Sequence, residues 1–139
     1  MKNLEEREQV AAISVLARIG EHFDDPCFGF VHHSPNGGVR SVVTGARMKA
    51  MGTRRGFPDL ILPIPRVSCG LAIEIKAGKG RTTPEQTAWL DAFHRWGWTV
   101  WVCRSAGGVV RAVLAHLGHD VEPQFENWIL MAGGTWSDQ

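Results

Sequence analysis

Asp59, Glu74 and Lys76 are the residues of this 139-residue chain whose types and spacing most directly suggest chemistry. In Leu71-Ala72-Ile73-Glu74-Ile75-Lys76 the large apolar residues fall at alternate positions. Successive side chains of a strand point to opposite faces, so Ile73 and Ile75 share one face and Glu74 and Lys76 the other, with Cβ atoms roughly 7 Å apart. A strand covered by helices on both faces is ordinarily apolar throughout. Two charges side by side there lie at an exposed strand end, pair with neighbours, or do chemistry. In Gly56-Phe57-Pro58-Asp59-Leu60, Asp59 opens a second apolar strand that a short hairpin would lay beside the first. Alone, Asp59 reads as a turn or strand-start residue. Beside Glu74 it completes a pair of hard oxygen donors of the kind that hold Mg²⁺ or Mn²⁺, with water in the remaining positions. A lysine next to such a pair can orient an attacking water or stabilise charge developing on phosphate.

The elements that must position these residues follow from periodicity and punctuation. Residues 3–19 read as a helix closed by Gly20. Residues 24–38 form a loop with two prolines and an Asn-Gly turn, holding a short strand at 28–32. Residues 41–51 read as a second helix ended by Gly52, and 57–64 as a strand whose pairing Pro63 restricts. A hairpin connection at Cys69-Gly70 leads into a strand over 70–76. Thr83 caps the next helix, Pro84 suits its first position and Gln86 completes a capping box. That helix runs to Trp96 and stops at Gly97; a strand over 98–103 and a helix over 109–117 follow. The order predicts an α/β sandwich, a small mixed β-sheet flanked by helices.

Length gives a prior of one domain. At 44% hydrophobic and 21% charged the chain has ordinary globular composition, which excludes disordered, collagen-like and coiled-coil classes. No apolar run reaches the ~18–20 residues of a membrane span, and the charge from Lys2 onward leads us to expect no signal peptide and no membrane partner. Cys27, Cys69 and Cys103 are odd in number and lack C-x-x-C spacing, so a disulfide framework or zinc ribbon is not expected, and a reducing cytoplasm is. The net charge of +1 hides an uneven distribution. Residues 119–139 hold four acids and no Lys or Arg, leaving 15 basic against 10 acidic residues in the first 118. Residues 40–56 carry Arg40, Arg47, Lys49, Arg54 and Arg55 and no acid, a footprint suited to a polyanion, although a solvated basic face reads the same way.

With Pro58-Asp59 followed by Glu74-Ile75-Lys76, the chain resembles the PD-(D/E)xK nucleases, which share the restriction-endonuclease-like fold. Glu8-Gln9, Pro35-Asn36-Gly37-Gly38, Gly56-Phe57-Pro58-Asp59-Leu60, Glu74-Ile75-Lys76 and Pro84-Glu85-Gln86 fall in the order seen in VRR-NUC domains, the virus-type replication–repair nucleases, and the resemblance covers roughly residues 5–117. It implies a nuclease domain over 1–118 in a stand-alone protein of the bacterial or phage cytoplasm; residues 119–139, by their charge, read as an acidic C-terminal tail packed on the same domain. The resemblance also implies a catalytic glutamate on the first helix. At 100° per residue Leu4, Ala12, Val15 and Ile19 lie within about 40° of Glu8, placing Glu8 on the apolar stripe, with Glu6 opposite and Glu5 intermediate. Such an acid needs a partner or a cation; a frayed, solvated first turn is the alternative.

These readings combine into a metal-dependent DNA endonuclease. Asp59, Glu74, the Ile75 carbonyl and Glu8 would hold one or two Mg²⁺ or Mn²⁺ ions, Lys76 would assist attack, and Gln86 would stand near the site, a role compatible with capping. Lys79 and Arg81 are placed for phosphate contacts just past Lys76; Arg40, Arg54 and Arg55 are further DNA-contact candidates, and Asn36 joins them by resemblance, though Asn-Gly is also a turn. Two strands need two sites, so a homodimer is expected, and the resemblance to Holliday-junction resolvases implies branched DNA in replication or repair. The alternatives are a non-catalytic DNA-binding module of the same fold and a structure-independent nicking nuclease. His32-His33 lacks the companions of a His-metal nuclease, His116 and His119 flank a helix-ending glycine and do not suggest zinc, and Trp89, Trp96, Trp98 and Trp101 read as packing residues.

Overall fold

The computed structural model describes residues 3–35 and 42–138. Helix α1 (Leu4–Phe23) starts at Asn3, whose side chain accepts from the Glu6 N–H at 2.7 Å, and buries Ala11, Ala12, Val15, Leu16 and Ile19 along one stripe. It continues through Gly20 and ends at Asp24, which takes the left-handed conformation. The expected stop at Gly20 is therefore corrected: a Cβ there would lie 3.0 Å from the Cβ of Phe28 and 3.2 Å from the Asp25 carbonyl. The glycine lets the 3-10 turn Pro26–Phe30 close against the helix. Phe28 is buried in that turn, so the strand expected over 28–32 reduces to β1 (His32–His33).

Helix α2 (Val42–Ala50) buries none of its residues. Strand β2 (Leu60–Leu62) is shorter than sequence suggests, with Pro58 before it and Pro63 after it. Strand β3 (Leu71–Ile75) is buried at every position. Helix α3 (Pro84–Arg95) has the expected capping box between Thr83 and Gln86, and β4 (Thr99–Cys103) follows it. Among the described residues four strands form one mixed sheet in the order β1-β2-β3-β4, with β1, β2 and β3 antiparallel and β4 parallel to β3 across the α3 crossover. Leu60 pairs with Ile73 and Leu62 with Leu71, so the expected hairpin is present.

Helix α4 (Ala106–Leu117) begins three residues before its sequence-predicted start, capped by Ser105. Gly107 and Gly108 hide that start because they are poor helix formers, and Gly107 is required by backbone contact. A Cβ on Gly107 would overlap the Trp136 backbone, and one on Gly108 the Asp138 carboxylate. The acidic C-terminal segment is thus built into the molecule. Helix α5 (Gln124–Met131) packs on α1 and α4 with Phe125 and Ile129 fully buried, and Arg111 donates to the Trp136 carbonyl at 2.8 Å. Among the described residues no helix is long and apolar enough to cross a membrane.

Phe125→Ala should cost about 3–5 kcal/mol of stability, the range for emptying a buried aromatic site, read as a lowered urea midpoint. A loss under about 0.5 kcal/mol, typical of a surface substitution, would show that the C-terminal segment is not part of the core.

Candidate active site

The site forms where the β2–β3 ladder breaks. Continuing the Leu60–Ile73 register by two residues would set Pro58 opposite Ile75. Proline has no N–H to offer the Ile75 carbonyl and cannot extend the ladder. The Ile75 N–H instead donates to Oδ2 of Asp59 at 2.7 Å, which fixes the aspartate across the end of β3. On its other side the Asp59 carbonyl accepts from Nδ1 of His33 at 2.9 Å and from the Ser34 N–H at 3.3 Å. His33 therefore positions the Asp59 backbone, a role the His-His pair does not reveal in sequence.

Glu74 lies on the facing strand and is only 2% exposed. Its Oε2 accepts from Nε2 of Gln86 at 3.3 Å, while Oε1 has no hydrogen-bond partner. Gln86 holds both expected positions at once, because its Oε1 also accepts from the Thr83 N–H at 2.8 Å. The capping box fixes the amide, and the amide fixes the carboxyl. Burial first, and then the hydrogen bond and negative charge of adjacent Asp59, push the Glu74 pKa up to about 9; Lys76 acts in the opposite direction and Glu5 adds to the rise. In the metal-free chain this environment favours the protonated form of the Glu74 carboxyl. Either that proton or a cation between the two carboxylates satisfies the orphaned oxygen.

Among the described residues no group of three His, Cys, Asp or Glu side chains converges as a complete ligand set. Two carboxylates are brought together, with the Ile75 carbonyl lacking its ladder donor beside them. A hard divalent cation that keeps several waters fits such a set, since Mg²⁺ is commonly held by one or two carboxylates.

Glu8 is buried, as its place on the apolar stripe requires, but it does not join this pair. Its Oε1 accepts from the Ala106 N–H and the Thr135 N–H, both at 2.8 Å, and from the Thr135 hydroxyl at 3.1 Å. In this geometry Oε1 of Glu8 meets the N-terminus of α4, where free N–H groups and the helix dipole favour an anion, and Oε2 takes no part in these bonds. The acid of α1 that reaches the site's border is Glu5, whose Oε2 accepts from the Ala77 N–H at 3.2 Å, directly after Lys76. Helical geometry alone placed Glu5 at an intermediate angle. Nothing in the sequence marked α4's N-terminus as the competing partner for Glu8.

Lys76 is half-buried at the end of β3. The loop after it is held by Arg104, which donates to the Gly80 carbonyl at 2.6 Å and the Gly78 carbonyl at 3.1 Å. Lys79 and Arg81 are exposed on this loop, and Arg54 and Arg55 on the approach to Asp59. Asn36 and Arg40 lie outside the described residues. His116 and His119 diverge to separate partners, the Ile64 carbonyl and Asp25. The tryptophans are corrected in part: Trp96 and Trp101 are more than half exposed, so neither is simply a core residue.

Two stability measurements test this geometry. With its pKa raised, Glu74 in the folded chain releases its proton at higher pH than a glutamate at its ordinary value of 4.5. The folded state then binds more protons between the two, so metal-free stability falls as pH rises through that window. Glu74→Gln should flatten the fall seen in urea midpoints measured with chelator; an unaltered slope contradicts the assignment. Glu8→Ala should destabilise the metal-free chain by about 3 kcal/mol, because its buried donors lose their acceptor. A carboxylate serving only a cation would give the opposite sign.

The VRR-NUC domain family model matches residues 7–107. A solved structure described as a VRR-NUC domain protein is 28% identical, aligns over 85% of this chain and 91% of its own length, and superposes with a TM-score of 0.69. No curated protein matches the chain.

Proposed function

The chain belongs to the VRR-NUC domain family and has its nuclease-type fold, and from that premise we propose that it is a metal-dependent endonuclease hydrolysing DNA phosphodiester bonds. The observation that carries the reading is the Asp59–Glu74 pair, with its buried oxygen left without a donor, beside Lys76.

Asp59, Glu74 and the Ile75 carbonyl would hold Mg²⁺ or Mn²⁺. A cation bound there supplies a Lewis acid that makes water nucleophilic at neutral pH and offsets charge developing on the phosphate. The Ile75 N–H keeps Asp59 in place, and Gln86 keeps one Glu74 oxygen aimed, so the donors are ordered before substrate arrives. Lys76 shares the Glu74 end of β3, where its ammonium can orient the attacking water and stabilise the phosphoryl oxygens as they gain charge. Glu5 orders the turn after Lys76 through Ala77, and Arg104 closes it. Glu8 serves the scaffold by anchoring α4 and residue 135 to α1. Lys79, Arg81, Arg54 and Arg55 extend from the two sides of the site as phosphate contacts, with Arg40 and Asn36 proposed beside them.

We further propose selectivity for branched DNA of the four-way-junction type, in bacterial or phage replication and repair in the cytoplasm. One site per chain supports a homodimer for paired cuts. Labelled single strand, duplex, flap and four-way junction, each with Mg²⁺, Mn²⁺ or chelator, test this directly. Cutting of the junction is expected with metal alone, and Asp59→Ala and Glu74→Ala should reduce it to the chelator level while far-ultraviolet circular dichroism is unchanged. Full activity in either variant refutes the site, and equal cutting of all substrates points to a structure-independent nickase. Arg54→Ala with Arg55→Ala should lower the log–log salt slope of DNA binding by about one per lost phosphate contact. An unchanged slope removes these arginines from the interface.

A further inference from the structure

One face of α3 is neither core nor conventional surface. Glu85, Ala88, Trp89, Ala92 and Trp96 recur at helical spacing along about 16 Å of the helix, and with Arg54 and Arg55 they line a groove of about 440 Å³. That volume is within the range of sites that bury small organic ligands. The small side chains of Ala88 and Ala92 leave room between two indoles. Trp89 is fixed as part of the floor: its Nε1 donates to the Arg55 carbonyl at 3.1 Å, and its ring meets Phe57 edge-on with centroids 4.9 Å apart. Trp96 stands at the far rim, 58% exposed, with its ring held against Phe93 at 5.5 Å and 72°. An indole that leaves most of its surface in water yet is braced by a neighbouring ring offers a flat face at little entropic cost.

The near rim connects with the proposed active site. Gly56 takes a positive φ of 85°, and a Cβ there would lie 2.7 Å from the Glu85 carbonyl carbon and 2.8 Å from the Gln86 nitrogen. The Arg54-Arg55 segment therefore lies flush on the first turn of α3, next to the glutamine that holds Glu74. Two exposed guanidinium groups face one carboxylate, Glu85, in a groove whose lining is otherwise aliphatic and aromatic. Flat apolar surface with a cationic rim matches the chemistry of an unstacked base and its phosphates. Bases within a duplex keep both faces covered, so they cannot use it.

We propose that the α3 groove, with Trp96 as stacking platform and Arg54 and Arg55 as phosphate contacts, binds an unpaired nucleotide of a single-stranded DNA segment leading into the active site. This rests on the nuclease reading for its biological use, but the binding itself can be measured without cleavage. Trp96 then adds a preference among branched DNAs for those that carry an unpaired arm over uninterrupted duplex and over an intact four-way junction, in which every base is paired.

The test uses the full chain in chelator, with a fluorescent single-stranded oligonucleotide, a blunt duplex and a flap containing 2-aminopurine in its unpaired arm. Trp96→Ala should weaken binding of the single strand and flap about tenfold, the lower part of the range for losing one stacked base. Blunt-duplex affinity should change less than twofold, Trp96→Phe should restore most of the loss, and 2-aminopurine quenching by wild type should disappear in Trp96→Ala. Equal weakening on all three DNAs, no weakening, or a sedimentation shift showing that Trp96→Ala separates two copies of the chain each overturns the groove. Metal-dependent cleavage with a neutral Trp96→Ala would leave the nuclease standing and remove the groove. Single-strand-selective binding that depends on Trp96, with no cleavage under any metal, would do the reverse.

Discussion

Asp59 and Glu74 sit against each other at the end of a buried strand, and two carboxylates so placed cannot both be ionised without help. Much of the local structure is arranged to hold them there regardless. Pro58 ends the β2–β3 ladder, freeing the Ile75 N–H for Asp59. The capping box at the start of α3 orients Gln86 onto Glu74. His33, from the first strand, steadies the Asp59 carbonyl. In the metal-free chain the tension raises the pKa of Glu74 and favours its protonated form. The same preorganised pair gives a divalent cation a reason to bind, since it can replace that proton and satisfy the oxygen that no protein donor reaches.

The frame of this site was legible in the sequence because it depends on local rules. Alternation set Glu74 and Lys76 together, the Thr83–Gln86 spacing announced the helix start, and Pro58-Asp59 marked the beginning of the partner strand. The features that were not legible depend on contacts between segments distant along the chain. Gly20 looks like a helix stop until Phe28 is seen to need its space. Gly107 and Gly108 look like a loop until residues 136 and 138 are laid across them. Trp96 looks like core because tryptophan usually is, and only its place at the end of α3 shows that the ring is 58% exposed.

Glu8 shows that an inference about burial and an inference about chemistry are separate, even when both start from one helical phase. Its helical phase does put it inside, and an interior carboxylate does need compensation. The compensation comes from a second kind of positive charge, the exposed N–H groups and dipole at the start of α4, with Thr135 closing the arrangement from the C-terminal segment. One helix thus contributes two acids at different heights: Glu8 binds the scaffold together and Glu5 borders the site. Because the tail supplies donors to Glu8 and covers α4, the acidic segment is coupled to the nuclease-type core through packing and through its own carboxylates, Asp138 accepting from the Ser105 hydroxyl and Glu122 meeting His22 at 2.9 Å.

The most direct test of the central claim is calorimetric titration of the metal-free chain with Mn²⁺ at neutral pH, in two buffers of different ionisation enthalpy. Uptake of the ion by wild type with release of about one proton per ion is expected, because the ligand must be deprotonated to bind. Glu74→Gln should lose both the binding and the proton release. Absence of binding by wild type, or equal binding by Glu74→Gln, contradicts the assignment of Asp59 and Glu74 as a cation site.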